Sequence, residues 1–160
     1  MKSKYNIVTL PSKVLLGEMK KIEKFDEHLK KLAKDMEVRM YESNGVGLAA
    51  SQIGLPLKMF VIAHGKTSKA FINPEIYDVS GPFEIEEEGC LSIPGQFMPI
   101  KRYRQLKMRY FDQFGVLHDI TAKGFFARVI QHEYDHIFGT LINARTTELT
   151  KEERKKFADA

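Results

Sequence analysis

The chain has 160 residues, of which 43% are hydrophobic and 29% charged, which fits one compact folded domain and excludes a disordered chain. Its 25 basic and 21 acidic residues leave a net charge of +4, carried on lysines interleaved with acids and apolar residues. No basic patch is paired with a nucleic-acid reading motif, so no sequence-specific nucleic-acid binding is expected. The longest run free of polar residues, Gly and Pro is Met59 to Ala63, too short to cross a bilayer. No secretory type of apolar stretch follows the basic N-terminus, so a cytoplasmic protein is expected.

In chain order, Phe25, Leu29, Leu32, Met36 and Met40 recur at steps of three and four, which predicts an amphipathic helix stopped at Asn44-Gly45. Residues 45–52, Gly-Val-Gly-Leu-Ala-Ala-Ser-Gln, are small enough to let backbone approach backbone or substrate. They lack the ending of a phosphate loop, and a packing turn explains them equally well. Residues 57–63 and 70–77 read as strands, the second broken at Asn73-Pro74. Cys90 is the single cysteine, so no intrachain disulfide forms; Gly89 and Pro94 place it at a turn or strand end. Residues 107–112 and 116–121 flank a short loop ending in Gly115 and read as a hairpin. A second helix runs from Gly124 to about Phe138 and ends at Gly139. A short C-terminal helix follows from about 147, with Thr150 as its N-cap. The expected class is α+β, with mainly antiparallel sheets packed around a central helix.

The second helix carries His132-Glu133-Tyr134-Asp135-His136, an H-E-x-x-H sequence. Residues four apart stack on one helix face, so two imidazoles can reach one ion, and the Glu beside the first can address a water bound to that ion. Phe125, Val129, His132 and His136 form one stripe, and Phe126, Ile130, Glu133 and Ile137 the adjacent one, so both are expected to point inward. Two buried His and a buried Glu are costly without partners, which favours a metal site over a core helix with satisfied histidines. An open metal centre takes three protein ligands. Ile142 stands where the extended zinc-protease pattern has its third His, and Glu148, Glu152 and Glu153 lie in a polar tail. His28, His64 and His118 are isolated, which leaves Cys90 as the candidate third ligand. Asp135 either pairs with a basic residue such as Arg102 or is an exposed helix acid.

Together these segments resemble the peptide deformylases. That family carries G-x-G-x-A-A-x-Q, E-G-C-x-S and H-E-x-D-H in this order, matched here by residues 45–52, 88–92 and 132–136. The flanking Gln131 and Ile93-Pro94 are similar as well, and the match covers about residues 5–145; the tail is short beside many bacterial members. The resemblance implies a single catalytic domain over 1–160 that removes the formyl group from the N-terminal methionine of newly made polypeptides, releasing formate. By position, it implies Cys90, His132 and His136 as metal ligands and Glu133 as general base and acid. Gln52 and the Leu91 backbone N–H are implied as an oxyanion hole, and Val46, Gly47 and Gly89 as backbone positions that hold an extended peptide. Phe125, Val129 and His132 are implied to line a methionine pocket, with Arg128 at its rim. The implied cofactor is one divalent ion, ferrous iron in bacteria, with zinc, nickel or cobalt as substitutes. The implied partners are N-formylmethionyl nascent peptides and the ribosome near its exit tunnel.

Two other classes use parts of the same pattern. A broad metalloprotease shares H-E-x-x-H but calls for a third His or Glu ligand. A structural metal module calls for a fourth protein ligand and leaves Glu133 without a task.

Overall fold

The computed structural model of the protein describes residues 2–160. Five strands, β1 (Gly47–Ala49), β2 (Met59–His64), β3 (Thr67–Cys90), β4 (Ile93–Phe111) and β5 (Leu117–Lys123), pair in chain order into one antiparallel sheet. Helices α1 (Glu27–Glu42), α2 (Gly124–Ile137), α3 (Ile142–Arg145) and α4 (Lys151–Asp159) complete the fold. The sequence reading expected several sheets around one helix; a single sheet with α1 and α2 against opposite faces is observed. Among the described residues no helix is long and apolar enough to cross a membrane.

Strand β2 shows why the sheet is covered on both sides. Its unbroken apolar run leaves no polar face, so both faces must be buried. Phe60 and Ile62 join Phe71, Met108, Val129 and Ile130 in the cluster under α2. Met59 and Val61, on the alternate face, join Met36 and Met40 of α1. Asp26 is the N-cap of α1, its side chain accepting from the Leu29 N–H at 3.1 Å, so Phe25 lies just outside the helix although its spacing continues the helical period.

Strands β3 and β4 are far longer than the sequence predicts, at 24 and 19 residues. Most of residues 77–87 are exposed, so the period-two alternation that marks a half-buried strand is missing there. The expected break at Asn73-Pro74 is instead a register shift between Ile72 and Glu75, where a bulge accommodates proline without ending the strand. Asn73 sits there with φ 50°. Its side-chain amide accepts from the Ile22 N–H and donates to the Ile22 carbonyl, both at 2.8 Å, which pins the N-terminal segment to the sheet.

Helix α2 ends where Gly139 takes φ 70°, and a Cβ there would lie 2.7 Å from the Leu16 carbonyl, a backbone group that cannot rotate away. Its inner face differs from expectation at the first turn. Phe125 is 67% exposed because that turn faces an open cleft rather than the sheet. Phe126 is also partly exposed, its ring tilted against Phe71 at 6.4 Å. From Ala127 onward the helix is buried at nearly every position, as the core contacts require.

Asn73→Ala is expected to cost about 2–3 kcal/mol, from two lost hydrogen bonds and a left-handed backbone that alanine resists. Asn73→Gly, which relieves only the backbone, should cost about 1 kcal/mol less. Urea unfolding of both variants beside wild type checks this, and equal losses would remove the backbone contribution.

Candidate metal centre and cleft

Helix α2 brings His132, Glu133 and His136 to one end of the sheet, and β3 ends there with Cys90. Cys90, His132 and His136 each turn one ligand atom to a common point, all within 4.8 Å of one another. Cys90 Sγ lies 3.7 Å from His136 Nε2. A tetrahedral ion with bonds of ~2.0–2.3 Å spaces its ligands ~3.3–3.8 Å apart, so this edge already has a coordinating separation. One thiol and two imidazoles fit a borderline divalent ion such as iron or zinc. The tail glutamates are elsewhere: Glu148 pairs with Arg145 at 3.2 Å and Glu153 with Lys101 at 3.2 Å.

The electrostatics of the cluster also favour a cation. Burial alone would lower the pKa of His132, but the neighbouring charge of Glu133 and hydrogen bonds with Cys90 and Glu88 push it up to about 10. His136 moves the other way, driven down by burial and then by the charge on His132.

Glu133 is 2% exposed, and burial pushes its pKa up to about 7. Its Oε1 has no hydrogen-bond partner among the described residues, and neither does His136 Nδ1. Space around this carboxylate is tight: a Cβ on Gly47 would lie 2.8 Å from Glu133 Oε2. Glycine at 47 is thus required by the acid on the opposite element.

Gln52 lies in a 3-10 turn (Ala50–Ile53) directly after β1. The Ala49 N–H donates to its Oε1 at 3.0 Å, which turns Nε2 toward Cys90 Sγ at 3.6 Å and Ser92 Oγ at 3.2 Å. Strand β1 is a sheet edge, paired only with β2. The Val46 carbonyl accepts from the Ala63 N–H at 2.9 Å, so by the alternation of an antiparallel ladder the Gly47 N–H and carbonyl face the open side. The carbonyl of Val46 is therefore already used within the sheet.

Every site residue expected from sequence except His136 lines one cleft of about 520 Å³, and His136 lies beneath it, 1% exposed. Phe125 stands at its mouth, and Val129 is buried in its wall. Arg128 was expected at the rim. It is instead buried in the wall, donating to Glu88 Oε2 at 2.6 Å and to the Glu84 carbonyl at 2.7 Å. An arginine this deep persists only because its donors are paired.

Glu88 stands in the E-G-C-x-S match without a role read from the sequence; in the structure it holds the cluster from behind. Its Oε1 faces His132 Nδ1 at 2.8 Å, and Arg102 grips both oxygens at 2.9 and 3.0 Å. Burial would raise its pKa, but hydrogen bonds from His132 and Arg102 hold it well below the usual carboxylate range. The available signal was its spacing, two residues before Cys90 on a strand and hence on the same face. Asp135, left open by the sequence, is buried and accepts from Arg102 at 2.6 Å and from Arg145 at 2.7 Å.

The polypeptide deformylase family model matches residues 4–152. A peptide deformylase of Clostridium botulinum is 44% identical over 142 residues, 89% of this chain and 96% of that protein. The crystal structure of peptide deformylase from Thermotoga maritima superposes with a TM-score of 0.86 at 42% identity, covering 88% of this chain and 96% of that one. A peptide deformylase from Synechococcus elongatus in complex with actinonin gives a TM-score of 0.88 at 33% identity, covering 99% of this chain and 86% of that one. The chain belongs to the polypeptide deformylase family.

Proposed function

We propose that the protein hydrolyses the N-formyl group from the N-terminal methionine of newly made polypeptides, releasing formate and a free amine. In this reading residues 1–160 act as one catalytic domain with α2 as its central helix. The observation that carries it is the buried Glu133 carboxylate, with one oxygen unpartnered among the described residues, beside three side chains whose donor atoms converge at the floor of a peptide-sized cleft.

Cys90, His132 and His136 would hold one divalent ion, with ferrous iron as the resident metal and zinc, nickel or cobalt as substitutes. When bound, it supplies the Lewis acidity that activates water and polarises the formyl group. Glu133 takes the proton released as water adds to the formyl carbon, and returns it to the nitrogen as the C–N bond breaks. Burial, which disfavours the charged carboxylate, helps Glu133 hold that proton between the two steps. Gln52 Nε2 and the Leu91 N–H serve the oxygen that gains negative charge, and the Ala49 bond keeps the Gln52 amide from turning its oxygen there.

The open edge at Gly47, with Gly89 opposite and Val46 flanking, holds the peptide as an added strand. Phe125 and Val129 give the methionine side chain an apolar wall, with Arg128 and His132 beside it. Formyl carbon bears only hydrogen, so a crowded site admits it where a peptide carbonyl is too large. A cytoplasmic setting beside the ribosomal exit tunnel suits a substrate that exists only on new chains. Hydrolysis of formyl-Met-Ala-Ser but not of casein separates this reading from a broad protease.

Glu133→Ala should retain metal and fold while losing ~10²–10⁴ in turnover of formyl-Met-Ala-Ser. Metal content measured with the assay checks both halves, and near wild-type turnover would remove Glu133 from the mechanism. Cys90→Ser should lose zinc or iron faster in dialysis against a mild chelator, since a neutral hydroxyl is a far poorer ligand than a thiolate. Wild-type retention would exclude Cys90 as a ligand. Iron-loaded protein should lose activity in air while zinc-loaded protein stays steady, because zinc has no redox chemistry; matched decay of the two would assign the loss to something other than the metal.

A further inference from the structure

Of the two arginines on Glu88, Arg102 lies behind the site and Arg128 faces the cleft. Arg128 is one helical turn before His132 on α2, and its side chain is only 8% exposed. Its planar guanidinium ties three elements together. Nη1 donates to Glu88 Oε2 at 2.6 Å and to the Ile100 carbonyl of β4 at 3.1 Å, while Nη2 donates to the Glu84 carbonyl of β3 at 2.7 Å. Nε lies 3.9 Å from the exposed Glu86 carboxylate. The other oxygen of Glu88 faces His132 Nδ1 at 2.8 Å. One side chain therefore forms part of the cleft wall and fixes the carboxylate that sets the angle of His132.

Resting on the reading of this cleft as the deformylase site, we propose that Arg128 is a positioning residue that couples occupancy of the methionine pocket to the orientation of the metal ligand His132. A substrate side chain in the pocket presses on Arg128, and the two backbone carbonyls define where the guanidinium settles. Arg102 holds Glu88 from behind and Arg128 holds it from the cleft side, so a shift of Arg128 tilts the carboxylate that faces His132. Groups that orient a ligating histidine through its second nitrogen typically govern 10–100-fold in metal affinity or activity. Lysine is no substitute in kind, since a single ammonium cannot span the Glu88 carboxylate and both carbonyls with fixed geometry.

The test uses full-length zinc- and cobalt-loaded protein as wild type, Arg128→Met and Arg128→Lys, with folding checked by thermal unfolding. Arg128→Met keeps an apolar stem and removes every donor. It should release zinc to a chelator about 10–100-fold faster, shift the visible absorption bands of bound cobalt, and lower kcat on formyl-Met-Ala-Ser about 10–100-fold with KM nearly unchanged. In wild type, formyl-Met-Ala-Ser should have a higher kcat as well as a lower KM than formyl-Ala-Ala-Ser, and in Arg128→Met the kcat difference should collapse. Arg128→Lys should fall between the two. A rise in KM alone, with wild-type cobalt bands and zinc release, would make Arg128 a pocket wall only. Wild-type values throughout in Arg128→Lys would overturn the proposal whether or not Arg128→Met folds. If wild type fails to cleave formyl-Met-Ala-Ser, the deformylase reading falls, while zinc release and the cobalt bands still measure the link from Arg128 to His132.

Discussion

The buried carboxylate of Glu88 is where sheet, helix and ligand cluster are joined. It stands on β3, two residues before Cys90, and receives Arg102 from β4 and both Arg128 and His132 from α2. A carboxylate in this position is tolerable only because every oxygen is paired, and removing one member of a buried cluster typically costs ~3–5 kcal/mol. Its permanent negative charge occupies His132 Nδ1, which leaves Nε2 as the nitrogen turned toward Cys90 and His136. The same network runs outward from Arg102 to Asp135, Arg145 and Glu148, so the segment after α2 is anchored to the back of the site.

The front of the cleft depends on small residues. Glu133 and Gly47 approach so closely that the edge strand has no room for a side chain there, and the acid packs against the backbone of β1. The adjacent Ala49 N–H orients Gln52. The run of small residues before β2 thus meets the close-approach criterion that its composition allowed, and it does so against a residue more than eighty positions away in sequence.

Helix α2 and strand β2 were legible because each has a strong pattern: a 3.6-residue apolar period in one, an unbroken apolar run in the other. The segments that meet in the cleft were legible from donor types and small residues. The β3–β4 ribbon was not, since most of residues 77–87 are exposed and alternation carries no signal there. Glu88 was legible as a motif residue, but its role was not: it ends the acidic run Glu84-Ile85-Glu86-Glu87-Glu88, and only the fold brings Arg102 and Arg128, 14 and 40 residues later, over this one acid. Arg128, implied at the pocket rim by the resemblance, is buried instead, because Glu88 and two backbone carbonyls pair its donors. Phe125 broke its stripe because helical period reports direction and not what lies in front of a given turn.

The proposed addition of the peptide to the free side of β1 has a kinetic consequence. An edge strand accepts only chain that is extended and has its own N–H and carbonyl groups unspent. Once a polypeptide's first residues enter a helix or an internal strand, those groups are committed and the edge at Gly47 has nothing to pair with. Any client of this cleft must therefore be reached before its amino terminus folds, which makes the enzyme's working window a race against the substrate's own secondary structure.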